Sequence, residues 1–125
     1  MHRIVICAAV VVIALGTISA SSQADTPESG PKYTIKQVMA QAHKSKLLRK
    51  VLNGEASSEQ KKDLLKLYEA LPANTPPKGT TRSWRRFTSM IVTSADAVVE
   101  GKPGAIAQLK REVNCAACHK AHKVK

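Results

Sequence analysis

Apolar residues along this chain recur at helical spacing, and the places where they fall out of step mark its breaks. Thr34-Ile35-Lys36-Gln37 has the form of a capping box: a Thr hydroxyl can take the N–H of the residue three on, and the Gln side chain can return the bond. Ile35, Val38, Met39 and Ala42 then keep one face, but Leu47, Leu48, Val51 and Leu52 fall on the opposite side of a straight helix. The pattern predicts a kink or two helices, about 34–44 and 46–53, with Gly54 as the stop. Ser57 or Ser58 can cap a helix over about 58–71 that buries Leu64, Leu65, Tyr68 and Leu71, and Pro72 ends it. After a Pro- and Gly-bearing loop over 73–80, a long helix is expected over about 81–99, with Trp84, Phe87, Ile91, Ala95 and Val98 on one face and Met90 beside them in the core. A last helix, about 104–121, follows Pro103 and carries Ile106, Leu109 and Val113. No segment alternates as a strand does. The expected class is all-α, a four-helix-bundle-like fold with short loops.

The first residues read differently. Met1, His2 and Arg3 form a short basic start, residues 4–18 are an almost unbroken apolar run, and Ser19, Ala20, Ser21, Ser22 and Ala24 are small. That is the layout of a secretory signal peptide, expected to be cleaved after Ala24. An uncleaved anchor is the alternative, but a run of about fifteen residues falls short of the ~20 a bilayer span needs. The domain plan is then a signal peptide over 1–24, a loose segment over 25–33 and a helical domain over 34–125, exported to the periplasm or an equivalent compartment and not inserted in the membrane after cleavage. Cleavage removes Arg3 and Cys7, leaving Cys115 and Cys118 as the only cysteines.

Composition sharpens the picture in two ways. With one Trp, two Tyr and one Phe, the core must be aliphatic or built around something that is not protein. The formal charge of +11 favours acidic partners or anionic surfaces. Nucleic acid is not the expected partner, because export removes it and no aromatics are interleaved among the basic residues for base stacking.

The chemistry lies in Cys115-Ala116-Ala117-Cys118-His119, the C-x-x-C-H pattern of covalent haem c attachment. Two thiols add to the two vinyl groups on one edge of the porphyrin, and the adjacent imidazole reaches the iron. On a helix the three residues stand at i, i+3 and i+4 and share a face. A redox dithiol would be expected to open a helix after a strand, and zinc would need two further ligands at its own spacing. The expected cofactor is one haem c, with His119 as proximal ligand.

A small exported helical chain with C-x-x-C-H on its C-terminal helix resembles the class II cytochromes c, the group of cytochrome c′ and its low-spin c-556-like relatives. Those proteins often place an aromatic residue three positions after the haem histidine and a basic one at the fourth; here the positions hold His122 and Lys123. The resemblance implies a helical bundle with the haem on its last helix, often dimerised through the first two helices. It also implies a sixth ligand from the first helix in low-spin members, and here that helix carries Met39 and His43. Met39 fits core packing; His43 stands at the edge of the apolar stripe, where a ring that can bind iron as neutral imidazole is harder to explain by packing. His122 lies on the same helix face as His119 and reads as packing or a propionate contact. The expected function is one-electron transfer to an acidic redox partner, with His119 and His43 holding the iron and Lys120 and Lys123 flanking the site, and no enzymatic activity. The alternative is a cytochrome c′-like protein that binds NO or CO at an open distal site; a peroxidase-like enzyme would need that open iron plus a polar distal group.

Overall fold

The structure, a computed structural model, describes residues 30–125. The expected signal peptide, its cleavage point and residues 25–29 lie outside the described residues. Within them the chain is all-helical, with no strand.

The Thr34 capping box forms as expected: Gln37 N–H donates to Thr34 Oγ1 at 3.2 Å, and Thr34 N–H donates to Gln37 Oε1 at 2.8 Å. It opens α1, Ile35–Val38, which does not stay α-helical. Met39–Lys44 winds as a wider π-helical turn, closed by the Ser45 N–H on the carbonyl of Ala40, five residues back, at 3.1 Å. The Ser45 hydroxyl also donates to the Gln41 carbonyl. Lys46 then adopts a left-handed conformation, φ 66°, and α2, Leu47–Leu52, departs in a new direction. This is the physical content of the break in the apolar stripe. A second capping box, Ser57 with Gln60, opens α3, Ser58–Glu69. The helix stops two residues before the expected 71, where the Leu71 N–H bonds to Tyr68, three back. Thr80 caps α4, Thr81–Val99, with its hydroxyl accepting from Ser83 N–H at 3.2 Å.

The expected single helix over 104–121 is corrected to two, α5, Ala105–Glu112, and α6, Cys115–His122. Val113 leaves helical geometry at ψ 67°, and the Asn114 side chain accepts the Ala117 N–H at 3.0 Å. An Asn before the cysteine pair is a helix start.

α4 packs against α3 on one side and α5 on the other, and α2 reaches both, an arrangement compatible with a bundle. The shared core holds Val38, Val51, Leu64, Leu67, Tyr68, Trp84, Ile91, Val98 and Leu109. Trp84 is satisfied as well as buried, its indole N–H donating to the Leu71 carbonyl at 2.7 Å. Buried Thr88 and Ser94 return their hydroxyls to carbonyls four residues back, at 2.9 and 2.8 Å. Met90, expected in the core, is instead 42% exposed. It is one residue out of step with Trp84, Thr88, Ile91, Ala95 and Val98, which is a turn of about 100° on a helix. Tyr33 packs against the core, and its carbonyl accepts from the Asn74 amide at 2.9 Å. α6 is the exception to this packing: it touches the other helices only lightly and has one buried side chain, His122. No helix among the described residues is long and apolar enough to cross a membrane.

Candidate functional site

Between α6 and the rest of the molecule lies a cavity of about 580 Å³. α6 supplies Cys115, Cys118, His119 and His122; the π-helical turn supplies Met39 and His43; α3 supplies Tyr68; Trp84, Thr88 and Ile91 of α4, with Ile35, Leu71, Pro77 and Val113, add to the wall, and Lys36, Lys44, Asn114 and Lys123 border it. Cys115, Cys118, His119, His43 and Met39, the candidate attachment and ligand residues of the sequence, therefore line one space. Met90 does not, and lines a separate groove on the far side of α4 with Arg82, Arg86, Phe87 and Arg111.

Asn114 starts α6 immediately before the motif, which sets Cys115, Cys118 and His119 on successive turns of one short helix. Cys115 is exposed, whereas Cys118 is half-buried against the core. Burial, then the neighbouring Cys115, raises the Cys118 thiol above its ordinary pKa. Among the described residues neither thiol is joined in a disulfide.

The π-helical turn gives His43 its direction. Wider turns of this kind recur at functional sites, because they re-aim a side chain without ending the helix. Burial holds His43 below the ordinary histidine pKa, and the charge of His119 lowers it further. The ring is thus kept neutral, the form in which imidazole binds a metal. Met39 shares the turn and the cavity with His43.

Tyr68 was legible only as a core residue. Its ring centroid lies 6.0 Å from that of His43, tilted by 45°. Its hydroxyl is buried and has no hydrogen-bond partner among the described residues. Burial first, and Cys115 second, push its pKa well above the usual phenol range, so it stays a donor. A buried hydroxyl without a partner beside a mostly apolar cavity calls for an explanation, and an acceptor on an occupant of that cavity is one.

His122 takes no part in a common metal set with its neighbours. Its ring meets Trp84 edge-on at 5.4 Å and Phe87 at 5.9 Å between centroids, and both nitrogens are hydrogen-bonded. This is the packing role read from its spacing; it faces the same cavity as His119 but is held by the protein. Among the described residues no three His, Cys, Asp or Glu side chains converge as a protein-only metal cage would require. Two thiols on one helix edge, two imidazoles from separate walls and an unmatched donor suit a large, flat, mostly apolar group bringing most of its own metal ligands, and the volume is in the range of cofactor pockets. No protein-family model, curated protein or solved structure matches this chain.

Proposed function

We propose that this chain is an exported monohaem c-type cytochrome that carries single electrons, built as a four-helix-bundle-like domain with haem c on its C-terminal helix. One observation carries the reading: C-x-x-C-H and the first-helix histidine, 76 residues apart in sequence when counted from His43 to His119, open onto the same apolar cavity.

Cys115 and Cys118 would hold the haem through thioethers, with His119 as proximal and His43 as distal ligand. When bound, haem supplies a ferric/ferrous couple. The residues around it do the rest. Burial keeps His43 unprotonated, so it need not lose a proton before it ligates. Leu71, Trp84 and Ile91 would line an apolar bed for it, and the Tyr68 hydroxyl would be free to donate to an acceptor on it. Two imidazoles would hold the potential below that of a His/Met pair, because a thioether raises it. Lys120 and Lys123 beside the motif, with the arginines of the outer groove, attract an acidic redox partner. The protein acts outside the cytoplasm and performs no catalysis of its own.

The test is spectroscopic. Protein matured in a host competent for haem c assembly should stain for haem on a denaturing gel, and Cys118→Ala should lose most of that stain. The wild type should be low-spin in both oxidation states and slow to bind CO, and His43→Ala should be high-spin or CO-reactive. A near-infrared methionine-to-iron band would transfer the distal role to Met39, and rapid CO binding by the wild type would make the protein cytochrome c′-like. Free thiols with no attached haem would end the reading altogether.

A further inference from the structure

We propose that His122 is a positioning residue that clamps the C-x-x-C-H helix to the loop before α4 and to α4 itself, and thereby sets where His119 stands. The inference rests on the haem reading for its consequence, but the clamp itself is a property of the polypeptide. α6 touches the remaining helices only lightly, and His122 is its one buried side chain, at 3% exposure. A short helix standing across a cavity this large has little else to hold it.

The ring is fixed in every direction. Nδ1 lies 2.9 Å from the Lys78 carbonyl oxygen, which can only accept, so Nδ1 carries the proton and donates. In the neutral ring Nε2 is then the acceptor, and the Ser83 hydroxyl donates to it at 3.2 Å. Trp84 and Phe87 meet the ring nearly at right angles, 77° and 78°, the edge-to-face arrangement that aromatic rings prefer. The loop is shaped to receive it. Gly79 has φ +82°, and a Cβ there would lie 2.8 Å from both the Ala121 carbonyl oxygen and His122 Nδ1. Neither atom is the free end of a flexible side chain: one is backbone of α6 and the other the clamp. Any side chain at position 79 must therefore force the loop and α6 apart.

His119 stands three residues before His122 on this two-turn helix, so rotation or lifting of the C-terminal turn moves the ligand directly. Of the groups that a histidine at this position could serve, the structure favours the protein over the cofactor, because both nitrogens are already committed.

Two measurements test this, one without haem. In the haem-free protein, amide exchange in α6 should quicken about tenfold or more in His122→Ala, the equivalent of losing one net hydrogen bond and its packing, while α4 amides stay as in the wild type. In the haem-loaded protein, His43→Ala leaves His119 as the single axial ligand, and its ferrous iron–histidine stretching band reports that bond alone. Adding His122→Ala should broaden or shift the band, and adding Gly79→Ala, which leaves the clamp residue in place, should do the same. His122→Gln, which can still donate and accept, should restore part of the wild-type band. Should His122→Ala fail to fold, Ser83→Ala and Gly79→Ala carry the test. An unchanged band in those variants, or α6 exchange no faster than wild type, overturns the clamp; absent haem in the wild type would sink the functional reading and leave the exchange result standing.

Discussion

Replacing Tyr68 by Phe removes one oxygen from the wall of the cavity, and the sign of its effect should depend on whether the site is loaded. In the haem-free protein the hydroxyl is buried with no partner in the described structure. An unmet buried donor costs about 1–3 kcal/mol, and an equally shaped apolar side chain removes that cost. Tyr68→Phe should therefore stabilise the haem-free protein within that range, less a small charge for the void left by one atom. For a domain of this size each kcal/mol moves the midpoint by roughly 4–8 °C, which a thermal melt followed by circular dichroism resolves easily. On the proposed haem reading the hydroxyl would donate to the bound group, and its loss from the loaded protein should cost about 0.5–1.5 kcal/mol. The assay is the pair of melts, wild type against Tyr68→Phe, with and without haem. Destabilisation of the haem-free form would refute the reasoning, since it would mean the hydroxyl is satisfied by something other than the cavity's occupant.

Three further outcomes follow from the same geometry. The folded state lowers the pKa of His43 from 6.5, so the unfolded chain binds the proton more readily; stability of the haem-free protein should be full above about pH 6.5 and fall as pH drops below it. His43→Phe should flatten that dependence in urea titrations run across the window, and an unaltered slope would contradict the burial argument. Asn114→Ala removes the cap of α6 and should cost about 1 kcal/mol, with faster exchange at the Ala117 amide as the local signature. Electron exchange with an acidic partner should slow between low and physiological salt, and Arg86→Glu with Arg111→Glu should reduce that salt dependence more than charge reversal of Lys61 and Lys62, which lie on α3.

Much of this fold could be read from capping chemistry and apolar spacing. Thr34-Gln37, the break before Leu47, the Ser57 start of α3 and the full length of α4 all appear where those rules put them. The errors have physical causes. The last helix looked continuous because Val113 prolongs the apolar stripe, while the signal against it, a capping Asn at 114, lay in plain sight. The residue type of Met90 suits a core; its register, one residue from Ile91, does not. At the site, the motif on α6 and His43 were legible from residue type and spacing. Tyr68 and the His122 clamp were not, since an unpaired hydroxyl and a ring held by a loop 40 or more residues away are facts of tertiary contact.

The wide turn over Met39–Lys44 has a consequence for how this protein can vary. Its extra span is one residue more than an α-helical turn holds, closed by the Ser45 N–H on the Ala40 carbonyl five residues back. A substitution that keeps this closure keeps the count, and with it the direction of His43. Deleting one residue, Ala40 for instance, would return the segment to ordinary α-helical winding, with five residues at about 100° each covering nearly the angle that six cover now, so the chain beyond keeps its direction while the side chains inside the turn change theirs. His43, inside the turn, would be re-aimed with its chemistry intact. The aim of this histidine is thus encoded as a length, and a chain can lose or regain it in a single insertion or deletion that no comparison of residue types would reveal.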